Sequence, residues 1–278
     1  MRLAISNIAW DAAEDEAVAK LLQRFGVDAI DVAPGKYFPE PANASDESIA
    51  QVKNWWAEQG IEITGMQALL FGTSGLNLFG SEQSQTAMLE HLAAVCRIAA
   101  GLGATRLVFG SPKNRDRTGL DDEQALQVAI PFFRKLGDIA QACGVTICLE
   151  PNPTCYGANF MTTSAQTAEV VKQVGHPAIK MQLDTGALQI NGEDPMAVLQ
   201  DCAALIGHVH ASEPDLVTLG DGGTNHRNMA AAIERFLANP VVSIEMLGTK
   251  DEAHIVSIER ALSVATQYYR SPRAGATR

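Results

Sequence analysis

The chain has 278 residues, 46% of them hydrophobic, 19% charged and 6% aromatic. That is enough to bury a sizeable core, and it excludes collagen-like, disulfide-scaffold and disordered compositions. With 21 Lys+Arg against 32 Asp+Glu, the net charge is −11 and no basic run interrupts it, which argues against nucleic acid or an anionic membrane as partner.

The first residues carry no signal-peptide pattern and turn acidic at Asp11, Glu14, Asp15 and Glu16. No stretch approaches ~20 apolar residues. Five cysteines, an odd count with no C-x-x-C pair, signal neither a thiolate zinc site nor a disulfide framework. A cytoplasmic protein is the expectation.

From there short β-rich segments alternate with longer helical ones. Strands are expected at 3–6, 29–32, 61–67, 106–109, 145–150, 179–184, 206–210 and 241–245. Helices are expected at 15–25, 46–59, 82–102, 122–143, 164–174, 195–204, 228–238 and 251–268. Ser45 and Asp46 mark one helix start, and Gly26, Gly60, Gly103 and Gly144 mark stops. Eight strand–helix pairs with no break in composition read as an α/β fold, a single (β/α)₈ TIM barrel over residues 1–270. A doubly wound sheet fits less well, because the first strand-to-helix turn, Asn7-Ile8-Ala9-Trp10-Asp11, lacks the glycines of a phosphate fingerprint. The small, polar, basic tail 271–278 is expected to be disordered.

Barrel enzymes place their chemistry at the carboxyl ends of the strands. Strands five to eight end in Glu150, Asp184, His210 and Glu245, spaced close to the ~31 residues of one βα unit. Taken alone, each reads better as a strand-end side chain in a salt bridge or helix cap. Together they put three carboxylates and an imidazole in one mouth, where repulsion would keep one acid protonated unless a cation intervenes. Oxygen-rich ligation with one nitrogen suits Mn²⁺, Mg²⁺ or Co²⁺, with Zn²⁺ compatible. Two residues earlier on the inward face stand Cys148, Gln182, His208 and Ser243, where a barrel core would favour Val, Ile or Leu. Gln182 and His208 read as orienting partners of the ligands, although His208 alone reads equally as a core histidine.

Glu150 before Pro151, Leu-Asp-Thr-Gly around Asp184, His208-Val209-His210, Gly-Asp-Gly-Gly at 220–223 and Ser-Ile-Glu at 243–245 resemble the xylose isomerase-like barrel superfamily. The resemblance is to its sugar phosphate isomerase/epimerase branch, which includes ketose 3-epimerases, hydroxypyruvate isomerases and inosose dehydratases. It implies one divalent metal ion on Glu150, Asp184, His210 and Glu245, with Glu150 and Glu245 as the acid/base pair. The implied reaction is isomerisation or epimerisation of a sugar or sugar derivative through a metal-stabilised enediolate. A lyase or dehydratase using the same site and a non-catalytic sugar-binding barrel are the rival readings. The chain departs from the ketose 3-epimerases at Ala187, where they have His, at Leu216, where they have Arg, and at Tyr156, where they have Glu. A differently decorated sugar or a different proton-transfer outcome is therefore expected. The histidines of the multi-metal AP endonuclease branch are missing, which argues against DNA repair. A homo-oligomer is expected by resemblance.

Three further residues are candidates for substrate contact. Lys113 lies among three cations after strand four and would suit a phosphate or carboxylate, or would simply pair with nearby acids. Trp10 would stack on a sugar face or serve as a packing lid. Glu213 would meet a hydroxyl. His226 reads as a helix-start residue, and Cys155 as incidental.

Overall fold

The computed structural model describes residues 1–270, so the expectation for 271–278 lies outside the described residues. Eight parallel strands close into a barrel in sequence order, β1 (Arg2–Ser6), β2 (Ala29–Val32), β3 (Glu62–Met66), β4 (Arg106–Phe109), β5 (Thr146–Leu149), β6 (Ile179–Asp184), β7 (Ile206–Ser212) and β8 (Val241–Glu245). β1 pairs with β8 from Arg2↔Val241 to Ile5↔Ile244, which shuts the cylinder. Around it run α1 (Asp15–Phe25), α2 (Asp46–Glu58), α3 (Glu82–Leu102), α4 (Asp122–Ala142), α5 (Ser164–Val174), α6 (Thr185–Asn191), α7 (Pro195–Cys202), α8 (His226–Phe236) and α9 (His254–Tyr269). The single TIM barrel expected from the alternation is the fold observed. Among the described residues no helix is long and apolar enough to cross a membrane.

The helix boundaries follow capping chemistry. Ser45, Ser81 and Asp121 accept backbone N–H groups at the starts of α2, α3 and α4. Gly26 and Gly103 close α1 and α3 in the left-handed conformation that glycine adopts without steric cost. Two differences from the expected elements bear on the mouth. β7 runs on to Ser212, two residues beyond the sequence-based limit, and α6 was not expected at all. The core between strands and helices is apolar, from Leu3 and Ile5 in β1 to Val242 and Ile244 in β8. The barrel axis is different: Asp31, Gln182, His208, His210 and Ser243 are all buried there.

Candidate active site

Strand register sets the depth of the site. Glu150 follows β5 and continues the ladder by donating its N–H to the Phe109 carbonyl. Asp184 stands level with His210, and Ser212 stands level with Glu245. The result gathers the four expected ligands: one ligand atom from each of Glu150, Asp184, His210 and Glu245 lies within 4.8 Å of all the others. His210 Nδ1 is 3.1 Å from Glu245 Oε2 and 3.6 Å from Glu150 Oε1. All four side chains are buried.

Neighbours orient each acid. Gln67, just past β3, donates Nε2 to Glu245 Oε1 at 2.6 Å, and Asn152 donates Nδ2 to Glu150 Oε2 at 3.2 Å. Asp184 Oδ2 accepts from Ser212 Oγ at 2.7 Å, while its Oδ1 accepts the Ala187 N–H at 2.6 Å and so caps α6. Gly110, after β4, leaves the space that Glu150 fills, since a Cβ there would come within 1.9 Å of Glu150 Oε2.

The electrostatics of this cluster fit a divalent cation. Burial, then the charges of Glu245 and Glu150, push Asp184 up to about 8. Burial opposes a charged His210, yet Glu245 and Glu150 hold it well above its ordinary value. Burial likewise opposes an ionised Glu245, but His210 and Gln67 outweigh it and bring the carboxyl below the usual range. Three buried acids thus share too little positive charge for all to ionise. Glu150 Oε1 is buried with no hydrogen-bond partner, a lone pair that a cation would satisfy.

The layer beneath is a hydrogen-bonded network. The β6–β7 register slips between Met181 and Gln182, and the Gln182 amide spans the slip. In the amide orientation that satisfies both partners, it accepts the His210 N–H at 3.1 Å and donates to the His208 carbonyl at 3.3 Å. His208 Nε2 lies 2.6 Å from Asp31 Oδ2. Burial would keep Asp31 neutral, but His208 and His210 pull its carboxyl down to about 2.

Other expected residues land elsewhere. Trp10 is buried at 1% exposure, donates its indole N–H to Asp15 and meets Trp56 edge-on, so neither face is open to a sugar. Glu213 is also buried; its oxygens accept from Gly220 N, Thr224 N and His226 Nε2 at 2.7, 2.9 and 2.8 Å, so it fastens the 214–225 loop where a substrate contact was expected. His226 begins α8, as expected. Lys113 remains exposed, 3.2 Å from the Thr73 carbonyl. Its loop does not present three cations to solvent, because Arg115 is buried and donates to the Glu150 carbonyl and Asn152 Oδ1, while Arg117 bonds Asn159 and Asp122. Gln67, Asn152, Ser212, Arg115 and Asp31 were missed. Asp31, an acid inside an otherwise apolar β2, was the clearest unused signal.

Residues 19–264 match the family model described as xylose isomerase-like TIM barrel. The chain belongs to that family. Among curated members, a D-psicose 3-epimerase of Ruminiclostridium cellulolyticum is 28% identical over 104 residues, a match spanning 37% of this chain and 35% of that relative. The D-psicose 3-epimerase of Clostridium cellulolyticum H10, solved with D-tagatose, superposes with a TM-score of 0.81 at 19% identity over 98% of this chain and 100% of its own. An L-ribulose 3-epimerase gives 0.77 at 18% identity, covering 96% and 91%. The IOLI protein with a bound zinc atom gives 0.75 at 17% identity, covering 97% and 98%. These xylose isomerase-like barrels share the fold of this chain.

Proposed function

We propose that the protein is a divalent-metal-dependent isomerase or epimerase of a sugar or sugar derivative, moving a proton through an enediolate. The observation that carries this reading is the convergence of Glu150, Asp184, His210 and Glu245 from consecutive barrel strands within 4.8 Å of one another. The 3-epimerases among its structural relatives support the substrate class. The same four side chains would hold the cation, with Mn²⁺ the first choice for a site of three carboxylates and one imidazole. When bound, it would acidify the C–H between the adjacent oxygens of a hydroxy-ketone.

The remaining chemistry belongs to the chain. Glu245, kept ionised by His210 and Gln67, takes a carbon-bound proton on one face. Glu150, steadied by Asn152 and by Arg115 on its own carbonyl, returns one on the other. The substrate end differs from that of the free-ketose 3-epimerases. Ala187 lies in the first turn of α6, Leu216 sits in a left-handed backbone at φ 52°, and the Tyr156 hydroxyl accepts the Asp215 N–H. A sugar decorated differently from a free ketose is the class we assign.

Two measurements test the reading. Elemental analysis after Mn²⁺ loading and desalting should find about one ion per chain, lost in Asp184→Ala. A screen of keto-sugars in D₂O should find solvent deuterium in a product of otherwise unchanged mass. Glu245→Gln should slow that exchange by about 10²- to 10⁴-fold while the protein stays folded. Full activity in that variant would sink the two-glutamate mechanism, and a product lighter by one water would make the enzyme a dehydratase.

A further inference from the structure

Below the three acids and the histidine, β2 brings a fourth acid to the barrel axis. Asp31 is fully buried, its Oδ2 2.6 Å from His208 Nε2 and 3.9 Å from His210 Nε2. Its Oδ1 accepts from Thr64 Oγ1 at 3.1 Å. The backbone has been adjusted to admit it. The β2–β3 register slips between Ile30 and Asp31, which leaves Thr64 unpaired and sets Gly65 level with Asp31. A Cβ on Gly65 would lie 2.5 Å from Asp31 Oδ1. On the other side, His210 Nε2 is buried and has no hydrogen-bond partner.

These groups are not arranged as a second ion site. Two ligands of one ion, each about 2.0–2.2 Å from it, stand more than ~3 Å apart in a tetrahedral shell. The 2.6 Å between His208 and Asp31 is instead a hydrogen bond, N–H donating to carboxylate. His210 already turns Nδ1 toward Glu150 and Glu245, so ligating a second ion through Nε2 would strip both hydrogens from one imidazole.

We infer that Asp31 is a positioning residue: it keeps the ring hydrogen of His210 on Nε2, so that Nδ1 offers its lone pair to the cation. This rests on the four-ligand reading proposed above. A neutral imidazole carries one N–H, and an anion beside one nitrogen selects which. Without that anion, the alternative tautomer aims Nδ1–H into the cation site and cannot ligate. His208 serves Asp31 in turn by anchoring Oδ2 from below. Asparagine in place of Asp31 offers one acceptor and one donor to two ring nitrogens that both need an acceptor, so one of the two is frustrated.

The test uses the full chain stripped of metal. Mn²⁺ titrated calorimetrically into wild type and Asp31→Asn should show about 10- to 100-fold weaker binding in the variant. ¹⁵N-histidine spectra of the metal-free proteins, taken at a pH high enough for His210 to have lost its imidazolium proton and with His210 assigned from a His210→Gln spectrum, should show the Nε2–H form in wild type and its loss in Asp31→Asn. A folding defect alone would not move a tautomer. Gly65→Ala supplies a second route, since it displaces the Asp31 carboxylate without removing it, and should weaken binding in the same direction. If Asp31→Asn does not fold, Gly65→Ala decides. Variants that bind Mn²⁺ within twofold of wild type and keep the Nε2–H form would overturn the role of Asp31 while leaving the four ligands in place. A wild-type protein that binds no Mn²⁺ would overturn both.

Discussion

Gly110 owes its lack of a side chain to Glu150, whose Oε2 occupies the place a Cβ would take. Gly110→Ala should therefore push Glu150 off its position and weaken Mn²⁺ binding at least tenfold, measured by titration calorimetry, with little change in the circular dichroism of the barrel. At this scale the convergence of the four candidate ligands was legible because each ends a strand, and strand ends in a barrel share one mouth. Gln67 was not. It meets Glu245 across 178 positions of sequence, and only closure of the barrel brings the ends of β3 and β8 together. Trp10 was legible only as a choice between a sugar stack and a packing lid, and its burial fits the lid. Its place after β1 was read correctly, but the sequence does not reveal that Trp56 and Asp15 enclose it.

Among elements, the loop 214–225 is fastened at both ends of its turn by one buried acid. Glu213 collects two backbone N–H groups and His226, whose other ring nitrogen meets the Tyr269 hydroxyl in α9. Glu213→Ala leaves those donors unpaired and should cost about 3 kcal/mol in urea unfolding, with new protease cleavage inside the loop. The pH dependence follows from the same bonds. Burial works against the ionised form, but His226 and Thr224 outweigh it and hold Glu213 down to about 2, against an ordinary value of 4.5. Its contribution is thus complete above pH ~4.5 and fades as pH falls toward 2. Urea midpoints between pH 6 and 3 should fall more steeply in wild type than in Glu213→Gln. Element boundaries were mostly readable from caps and glycines, since those signals are local. The exception is α6: Thr-Gly-Ala-Leu-Gln-Ile-Asn is short and holds poor helix formers, and its cap is Asp184, a residue already read as a ligand.

For the whole molecule, the proposed cation would link stability to binding. Without a cation Asp184 is raised to about 8 and His210 well above its ordinary value, while burial holds His208 below its own and offsets Asp184 at lower pH, so between pH ~6.5 and 8 the folded state binds more protons than the unfolded chain. Stability of the metal-free protein should then fall as pH rises through that window. A divalent ion at the proposed site would replace the retained proton and remove the penalty. At a hundredfold excess over its dissociation constant it adds about 2.7 kcal/mol, which raises Tm by roughly 5 to 10 °C. Differential scanning calorimetry with Mn²⁺ should show a larger gain at pH 8 than at pH 5.5, and almost none in Asp184→Ala. The closed barrel itself was legible from the alternation of eight strand and helix patterns. Its polar axis was only half legible, because Asp31 joins His208 through a pairing that no sequence period encodes.

Asp184 faces two ways, with Oδ1 on the Ala187 N–H and Oδ2 on Ser212. The carboxylate that would bind an ion is therefore tethered to a backbone amide in the next helix. That makes the Ala187 proton a built-in gauge: its exchange with solvent deuterium reports how firmly the acid is held.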